Sequence, residues 1–150
     1  MLSLDGNRPI SEERLKAFEN AIGTGLPEDY RQFLLENNGG TPKQGSHFSF
    51  VEHGKKTDSR LMYFYGLDRS RDENIEVQIK IRTGRMPREV IPIAADPFGN
   101  EVCLVIHGRE AGVVYFWNHE EESEDEPTYD NMYRIAGSFT ELLDGLHPLR

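Results

Sequence analysis

Cys103 and His107 stand four residues apart in the stretch EVCLVIH, and a thiol beside an imidazole is a common nucleophile and base pair in enzymes. The stretch is apolar on consecutive residues, which predicts a strand covered on both faces. Residues four apart on a strand are separated by roughly 13 Å, which is too far for direct proton transfer. The position of Cys103 between Val102 and Leu104 therefore indicates a small core residue.

The stretch DPFGNE offers a second reactive group, the oxygen atoms of Asp96, Asn100 and Glu101. Calcium and magnesium prefer such ligands, but the spacing differs from that of a calcium-binding loop and the sequence has no second acidic cluster with suitable ligand spacing. Pro97 and Gly99 are typical turn residues, and the side chains of Asp96 and Asn100 can hydrogen-bond the local backbone. The stretch is therefore predicted to be a turn before a strand.

The histidines form no recognisable site in the sequence. His47 and His53 lie six residues apart and could form half of a zinc site, yet a structural site needs four ligands and the chain has a single cysteine. His107, His119 and His147 have no neighbouring base and orienting group. A dispersed active site stays open as an alternative, and the sequence predicts neither a metal nor another cofactor.

The most acidic run of the chain lies in residues 119–127, which we call the acidic segment, directly after the apolar run VYFW. A solvated loop kept extended by like-charge repulsion explains it, and so does a surface that attracts a basic partner. Trp117 is either a core residue of a central strand or an aromatic anchor of an interface. The candidate contact residues are Trp117, Glu120, Glu121, Glu122, Glu124, Asp125, Glu126 and Tyr129.

The composition is that of a folded domain with an uneven distribution of charge. The 150 residues are 37% hydrophobic, which predicts one packed domain over residues 1–150. The net charge is -9, but residues 55–88 hold nine basic against five acidic side chains, whereas residues 89–150 hold three against thirteen. This acidity disfavours binding to nucleic acid, whose phosphates it would repel, and suits a basic protein partner.

The same sequence features predict a location in the cytoplasm. A single cysteine excludes an internal disulfide and fits a reducing compartment. No apolar run approaches the roughly 20 residues that span a bilayer, and the amino terminus lacks the basic start and apolar stretch of a secretory signal. We therefore expect neither secretion nor membrane insertion, and the oligomeric state is open between a monomer and a weak dimer.

Three helices have marked ends. Ser11 can cap the first helix, in SEERLKAFENAIG, and Pro27 suits the first position of the second, in PEDYRQFLLENNGG. Residues 38–40 tolerate the left-handed conformation that ends the second helix. Ser138 and Glu141 have capping-box spacing at the start of a closing helix in SFTELLDGL.

Strands are predicted between these helices. HFSF and RLMYFYGL are short and rich in aromatic residues, and EVCLVIH and GVVYFWNH are predicted to pair as a hairpin. NIEVQIKIR is ambiguous, because its alternation fits a strand while Ile75 and Ile79 also share one face of a helix.

Four of these landmarks occur in an order that resembles the SUKH superfamily, which includes the yeast regulator of cell-wall synthesis and many bacterial immunity proteins. They are LPEDYRQFLLENNGG, IPIAADPFGNEVCL, GVVYFWNHE and SFTELLDGL, and they span nearly the whole chain. The resemblance implies an α+β domain with a curved, mostly antiparallel sheet flanked by helices, in the order α-α-β-β-(α)-β-β-β-α. It also favours a helix for NIEVQIKIR.

The resemblance implies a binding protein and not an enzyme. Many bacterial members look like antidotes that block a cognate toxin, often a nuclease or a deaminase, whereas others act as adaptors or scaffolds. We therefore expect an immunity protein for a basic protein toxin, with an adaptor in a protein complex as the alternative and a small hydrolase as a weaker one. The resemblance transfers no catalytic residue and no contact residue.

Overall fold

The computed structural model describes residues 3–148, and within them the chain alternates short helices with antiparallel strands. In chain order the elements are β1 (Leu4–Asp5), α1 (Glu12–Ile22), α2 (Glu28–Glu36), β2 (Thr41–Pro42), β3 (His47–Glu52), β4 (Lys55–Arg60), β5 (Tyr63–Phe64), α3 (Ile75–Arg82), β6 (Val90–Ala95), β7 (Glu101–Val105), β8 (Val114–Trp117), β9 (Met132–Ala136) and α4 (Phe139–Asp144). Two 3-10 turns add Arg71–Glu73 and His119–Glu121.

Strands β5 to β9 form one five-stranded sheet in which each strand pairs antiparallel with the next in sequence. Strands β3 and β4 form a separate hairpin, and β1 pairs with β2. Helices flank the antiparallel sheets, so the predicted α+β class is confirmed. The helix over NIEVQIKIR is confirmed as α3, with Asn74 accepting a hydrogen bond from the amide of Val77 at its start.

Strand β7 separates two hydrophobic cores, because successive side chains of a strand point to opposite faces of the sheet. Val102 and Leu104 point into the larger core, which α1, α2, α4 and β3 complete. Cys103 and Val105 point into a smaller core on the other face, beside Trp117. All five residues of β7 are buried, as predicted for a strand covered on both faces.

The helix ends follow the sequence closely. The hydroxyl of Ser11 accepts a hydrogen bond from the amide of Arg14, and that of Ser138 accepts one from Glu141, each at 3.0 Å. Pro27 differs from its prediction, because it is the residue before the first helical position of α2. Its φ of -51° is in the range that proline fixes, and this φ suits both that place and the first turn.

The predicted strand order was incomplete. Strand β4 has the sequence KKTDSR, which lacks apolar alternation, and β3 holds it through pairs running from His47 with Arg60 to Glu52 with Lys55. Strand β9 was also missed, and the strand expected over RLMYFYGL is reduced to β5. Strand β4 forms because its backbone pairs with β3. Strand prediction from side-chain patterns contains no information on such pairing, so β4 was missed.

Asn38 joins the end of α2 to the segment that follows β5. Its backbone has a φ of 50°, and its buried side chain donates to the carbonyl of Leu67 at 2.8 Å and accepts from the amide of Leu67 at 2.7 Å. Gly66 allows this approach, because a Cβ there would lie 2.0 Å from the carbonyl oxygen of Asn38. The asparagine that ends the helix also fixes the helix layer to the sheet.

Replacing Asn38 by alanine should lower the free energy of unfolding by about 2–4 kcal/mol, since the buried amide and carbonyl of Leu67 both lose their partners. Urea denaturation followed by circular dichroism measures the change. Asn37→Ala is the matched control, because Asn37 has a right-handed backbone and its side chain accepts only an exposed hydrogen bond, from Asn7. Equal losses at the two asparagines would contradict the role given to Asn38.

Candidate protein-binding surface

The acidic segment leaves the sheet after β8 and returns into β9 as a fixed loop. The side chain of Asn118 caps its first turn by accepting from the amide of Glu120 at 3.0 Å. The base of the loop is closed by Asn131, whose side chain donates to the carbonyl of Asn118 at 3.0 Å and whose carbonyl accepts from the amide of Asn118 at 2.9 Å. The loop that contains the acidic segment is therefore held by the fold at its base.

Glu122 fastens the acidic segment to the residues that follow α3. Its two carboxylate oxygens accept from the Nε and a terminal nitrogen of Arg85, each at 2.9 Å, and this pairing lowers the pKa of the Glu122 carboxyl. The guanidinium of Arg85 lies 5.3 Å from the ring centre of Trp117, and that of Arg82 lies 5.7 Å from it. Glu122 thus contributes to the cover over the smaller core.

Trp117 is fully buried beneath this cover, with an exposed fraction of 0%. A partner cannot contact a side chain that has no accessible surface, so the interpretation of Trp117 as an interface anchor is corrected: it is a core residue. The two arginines and Glu122 lie between it and solvent on that face of the sheet.

Glu121 provides a second attachment, to the β3–β4 hairpin. Its carboxylate accepts hydrogen bonds from the hydroxyl of Tyr133 and from the imidazole of His53. These bonds lower the pKa of Glu121, and the carboxylate in turn raises the pKa of His53. Beside them the side chain of Asn118 donates to the carboxylate of Glu52 at 3.1 Å. Sequence reasoning missed these partners because they lie 12 to 80 residues apart.

The other acids of the segment face solvent. Glu120, Glu124, Asp125 and Glu126 are exposed, and no lysine, arginine or histidine in the described part of the chain forms a salt bridge with them. Tyr129 follows the segment and is 40% exposed. The segment thus presents four carboxylates that are available to a cation of another molecule.

A groove of about 810 Å³ lies beside the end of the acidic segment. Its walls come from the end of α1, from α3, from residues 83–88 and from the start of β6. The apolar side chains that line it include Ile22, Ile79, Met86, Pro87, Val90 and Ile106. Glu126, Pro127 and Tyr129 also line the groove, so the acidic segment and this hollow form a continuous surface.

Comparison with known proteins gives this surface a family context. Residues 9–145 match the SMI1 / KNR4 family (SUKH-1). The chain belongs to this family. It is also 32% identical over 151 residues to the SPbeta prophage-derived uncharacterized protein YokK of Bacillus subtilis (strain 168), an alignment that covers 91% of this chain and 74% of that protein.

The family match confirms the resemblance to the SUKH superfamily, a group that includes immunity proteins able to bind protein toxins. The matched range contains all of the acidic segment and the helices and strands that hold it. The candidate contact residues of this SUKH-1 domain therefore lie within the range that matches the family.

Cys103 and His107 do not form a nucleophile and base pair, because one is buried and the other is exposed. Cys103 is fully buried, with its sulfur 3.8 Å from that of Met86, and burial raises the pKa of the thiol well above its ordinary value. His107 is exposed at the edge of the groove. Cys103 is a core residue of the SUKH-1 domain, as the sequence predicted.

The turn predicted for DPFGNE is also confirmed. One carboxylate oxygen of Asp96 accepts from the amides of Phe98 and Asn100, each at 2.8 Å. The other oxygen accepts from the side chains of Asn100 at 2.9 Å and of Ser59 at 3.0 Å. Asp96 is committed to these four bonds, and among residues 3–148 no three histidine, cysteine, aspartate or glutamate side chains form a group that could hold a metal ion.

One serine, histidine and aspartate do meet, on the β3–β4 hairpin, and the sequence gave no signal for them. The hydroxyl of Ser49 lies 3.1 Å from Nε2 of His147 and donates to Asp58 at 2.6 Å. In a hydrolase the aspartate orients the histidine through Nδ1. Here Nδ1 of His147 faces the carbonyl of Pro148 at 2.9 Å, so the order required for a triad is absent from this group.

No helix among residues 3–148 is long and apolar enough to cross a bilayer.

Glu101 is a buried carboxyl at the junction of the predicted turn and the predicted strand. It begins β7 directly opposite Trp117, and it is 2% exposed. The hydroxyl of Tyr65 donates to it at 2.6 Å, and Arg82 lies 3.5 Å away. Burial raises the pKa of Glu101 to about 7, against the opposing effects of the Tyr65 hydrogen bond and the Arg82 charge.

Glu101 should make the protein less stable as the pH rises. Its folded-state pKa of about 7 lies above the ordinary value of 4.5, so the folded protein binds more protons between these two pH values and its stability falls across them. Glu101→Gln should remove this dependence. The difference in the free energy of unfolding between the variant and wild type should therefore shift by about 2–3 kcal/mol in favour of the variant as the pH rises from the lower to the upper of these values. Urea midpoints across the range measure it, with exposed Glu13→Gln as the control. Parallel curves for wild type and Glu101→Gln would contradict the assignment.

Arg85→Ala should loosen the acidic segment and partly uncover Trp117. The loss of a two-bond ion pair and of ring stacking should lower the free energy of unfolding by about 1–2 kcal/mol. Amide hydrogen exchange should become faster over residues 119–126, as mass spectrometry of peptides can measure. Arg88→Ala removes the same charge from an exposed neighbour and should leave that exchange unchanged. Unchanged exchange in Arg85→Ala would show that the pair with Glu122 does not hold the segment.

Proposed function

We propose that this protein is a cytoplasmic immunity protein that binds a basic toxin of nuclease or deaminase type and blocks it stoichiometrically, without catalysis or a cofactor. One observation carries the proposal: four exposed carboxylates stand on a segment that the fold holds in place. They are Glu120, Glu124, Asp125 and Glu126. Glu121 and Glu122 hold the segment and leave these four available.

The charge of the surface supports a basic partner. Carboxylates that lie close together make the local electrostatic potential more negative, and this accelerates the approach of a positively charged protein. A toxin that acts on nucleic acid needs a basic cleft to bind phosphates, and an acidic segment placed across that cleft would exclude the substrate. Because the segment is already held, binding orders few additional residues and loses less conformational entropy.

Family membership supports the same proposal. The SMI1 / KNR4 family (SUKH-1) includes immunity proteins, and the relative from Bacillus subtilis bears a name that describes it as prophage-derived. An antidote must act in the compartment where its toxin would reach nucleic acid, and a chain with one buried cysteine suits the reducing cytoplasm.

The decisive experiment is co-expression of this chain with each candidate toxic protein encoded by a gene adjacent to its own, in cells that the candidate kills. An immunity protein restores growth, and the purified chain abolishes the activity of the toxin at an equimolar ratio. Binding without loss of toxin activity would support an adaptor instead. Neither binding nor rescue would contradict the proposal.

Removing the four exposed acids should slow association with the toxin. The variant Glu120→Gln, Glu124→Gln, Asp125→Asn and Glu126→Gln should associate about tenfold or more slowly at low salt, because it loses electrostatic steering. Its association rate should also depend less on salt concentration. Surface plasmon resonance over a series of salt concentrations measures both effects.

A matched control removes four exposed acids from other elements: Glu13→Gln, Glu28→Gln, Asp72→Asn and Asp144→Asn. It has the same net charge as the test variant. It should associate at nearly the wild-type rate, since its carboxylates lie outside the acidic segment. If both variants slow association equally, total charge and not the acidic segment governs the encounter.

A further inference from the structure

Exposed apolar side chains gather around the acidic segment. The large hydrophobic residues exposed among the described residues are Val51 at 58%, Ile81 at 38%, Phe98 at 71% and Tyr129 at 40%. Phe98 lies on the turn that contacts His119, at the start of the segment. Val51 lies on strand β3, two residues before the His53 that contacts Glu121, and Tyr129 lies just beyond the end of the segment. Single exposed hydrophobic residues are ordinary on a protein surface, but Phe98 is the most exposed of these four and its turn contacts the acidic segment.

Phe98 is held on a rigid support. The turn from Asp96 to Asn100 is fixed by the four hydrogen bonds that the buried Asp96 carboxylate accepts, one of them from the amide of Phe98 itself. Gly99 has a φ of 87°, which allows the tight turn after the aromatic residue. The backbone of Phe98 is thus fixed while its ring stands in solvent.

This turn and the acidic segment form one unit. The ring nitrogen Nε2 of His119 lies 2.8 Å from the carbonyl oxygen of Phe98, and the amide of His119 donates to the side chain of Asn100 at 3.0 Å. A Cβ at Gly99 would lie 3.1 Å from Nε2 of His119, so the two loops are in close contact. Glu120, the first of the exposed acids, follows His119 directly.

We propose that Phe98 is the apolar anchor of the toxin-binding surface and enters a hydrophobic pocket that is rimmed by lysine or arginine side chains on a basic protein. This inference rests on the proposed function. Aromatic side chains at the centre of an interface supply much of its binding energy, and the polar residues around them exclude water. Phe98 supplies the aromatic group, and Glu120 lies next to the residue that contacts its turn.

Charge selects this occupant over others. A nucleic acid or an anionic membrane would be repelled by the exposed carboxylates beside Phe98. A basic protein gains from both features, because the carboxylates accelerate the encounter while the buried ring slows dissociation. The two parts of the surface therefore predict two separable kinetic effects.

The test measures binding kinetics between the full chain and the purified toxin identified by the co-expression experiment, inactivated at its catalytic residue. Phe98→Ala should raise the dissociation rate about thirtyfold or more and leave the association rate and its salt dependence close to wild type. The variant should fold normally, since the ring is 71% exposed, and its melting temperature checks this. Ile81→Ala is the matched control, because it removes an exposed apolar side chain from α3 and should not change the dissociation rate.

Each other result overturns the inference in a different way. If wild type binds and Phe98→Ala dissociates at the same rate, Phe98 is not the anchor, although the proposed function stands. If Ile81→Ala dissociates as fast as Phe98→Ala, the effect comes from general loss of apolar surface and not from this turn. If wild type itself does not bind the toxin, the proposed function and the inference both fail.

Discussion

The burial of Trp117 is the constraint on which the candidate surface depends. The helices and β3 build the larger core on one face of the sheet, whereas the other face carries a smaller core that is covered in part by residues after α3, such as Met86. Arg82 and Arg85 complete that cover by lying over the indole ring. A guanidinium stacks well on an aromatic ring because its planar face is weakly hydrated. Its charge still needs a partner, and Glu122 of the acidic segment supplies one for Arg85.

This arrangement explains part of the uneven charge of the sequence. The basic residues 55–88 and the acidic residues 89–150 meet within the molecule, through Arg85 with Glu122 and Arg82 with Glu101. Some of the acidic charge therefore serves the fold. The four exposed carboxylates of the acidic segment have no such partner within the described chain, and the electrostatic argument for a binding partner applies to them alone. Net charge by sequence segment does not distinguish these two uses, since it carries no information on pairing between distant residues.

Local signals in the sequence predicted local structure well. Ser11, Ser138 and the turn at Asp96 act through hydrogen bonds within a few residues, and each was found where the sequence placed it. Features set by distant contacts were not predictable from the same signals. Strand β4 exists because β3 pairs with it, and Glu101 is buried because β8 and α3 surround it. The helix over NIEVQIKIR needed the family resemblance, because its β-branched alternation is equally typical of a strand.

The separation between residues that hold the acidic segment and residues that it displays has an evolutionary consequence. Glu121 and Glu122 are tied to His53, Tyr133 and Arg85, so substitutions there disturb the fold as well as the surface. Positions 120 and 124–126 carry no such ties to the rest of the described chain. Under the proposed function, substitutions at those positions and at the exposed ring of Phe98, in the adjoining turn, would change the partner that is recognised while the domain keeps its stability. The architecture thus lets specificity diverge faster than structure.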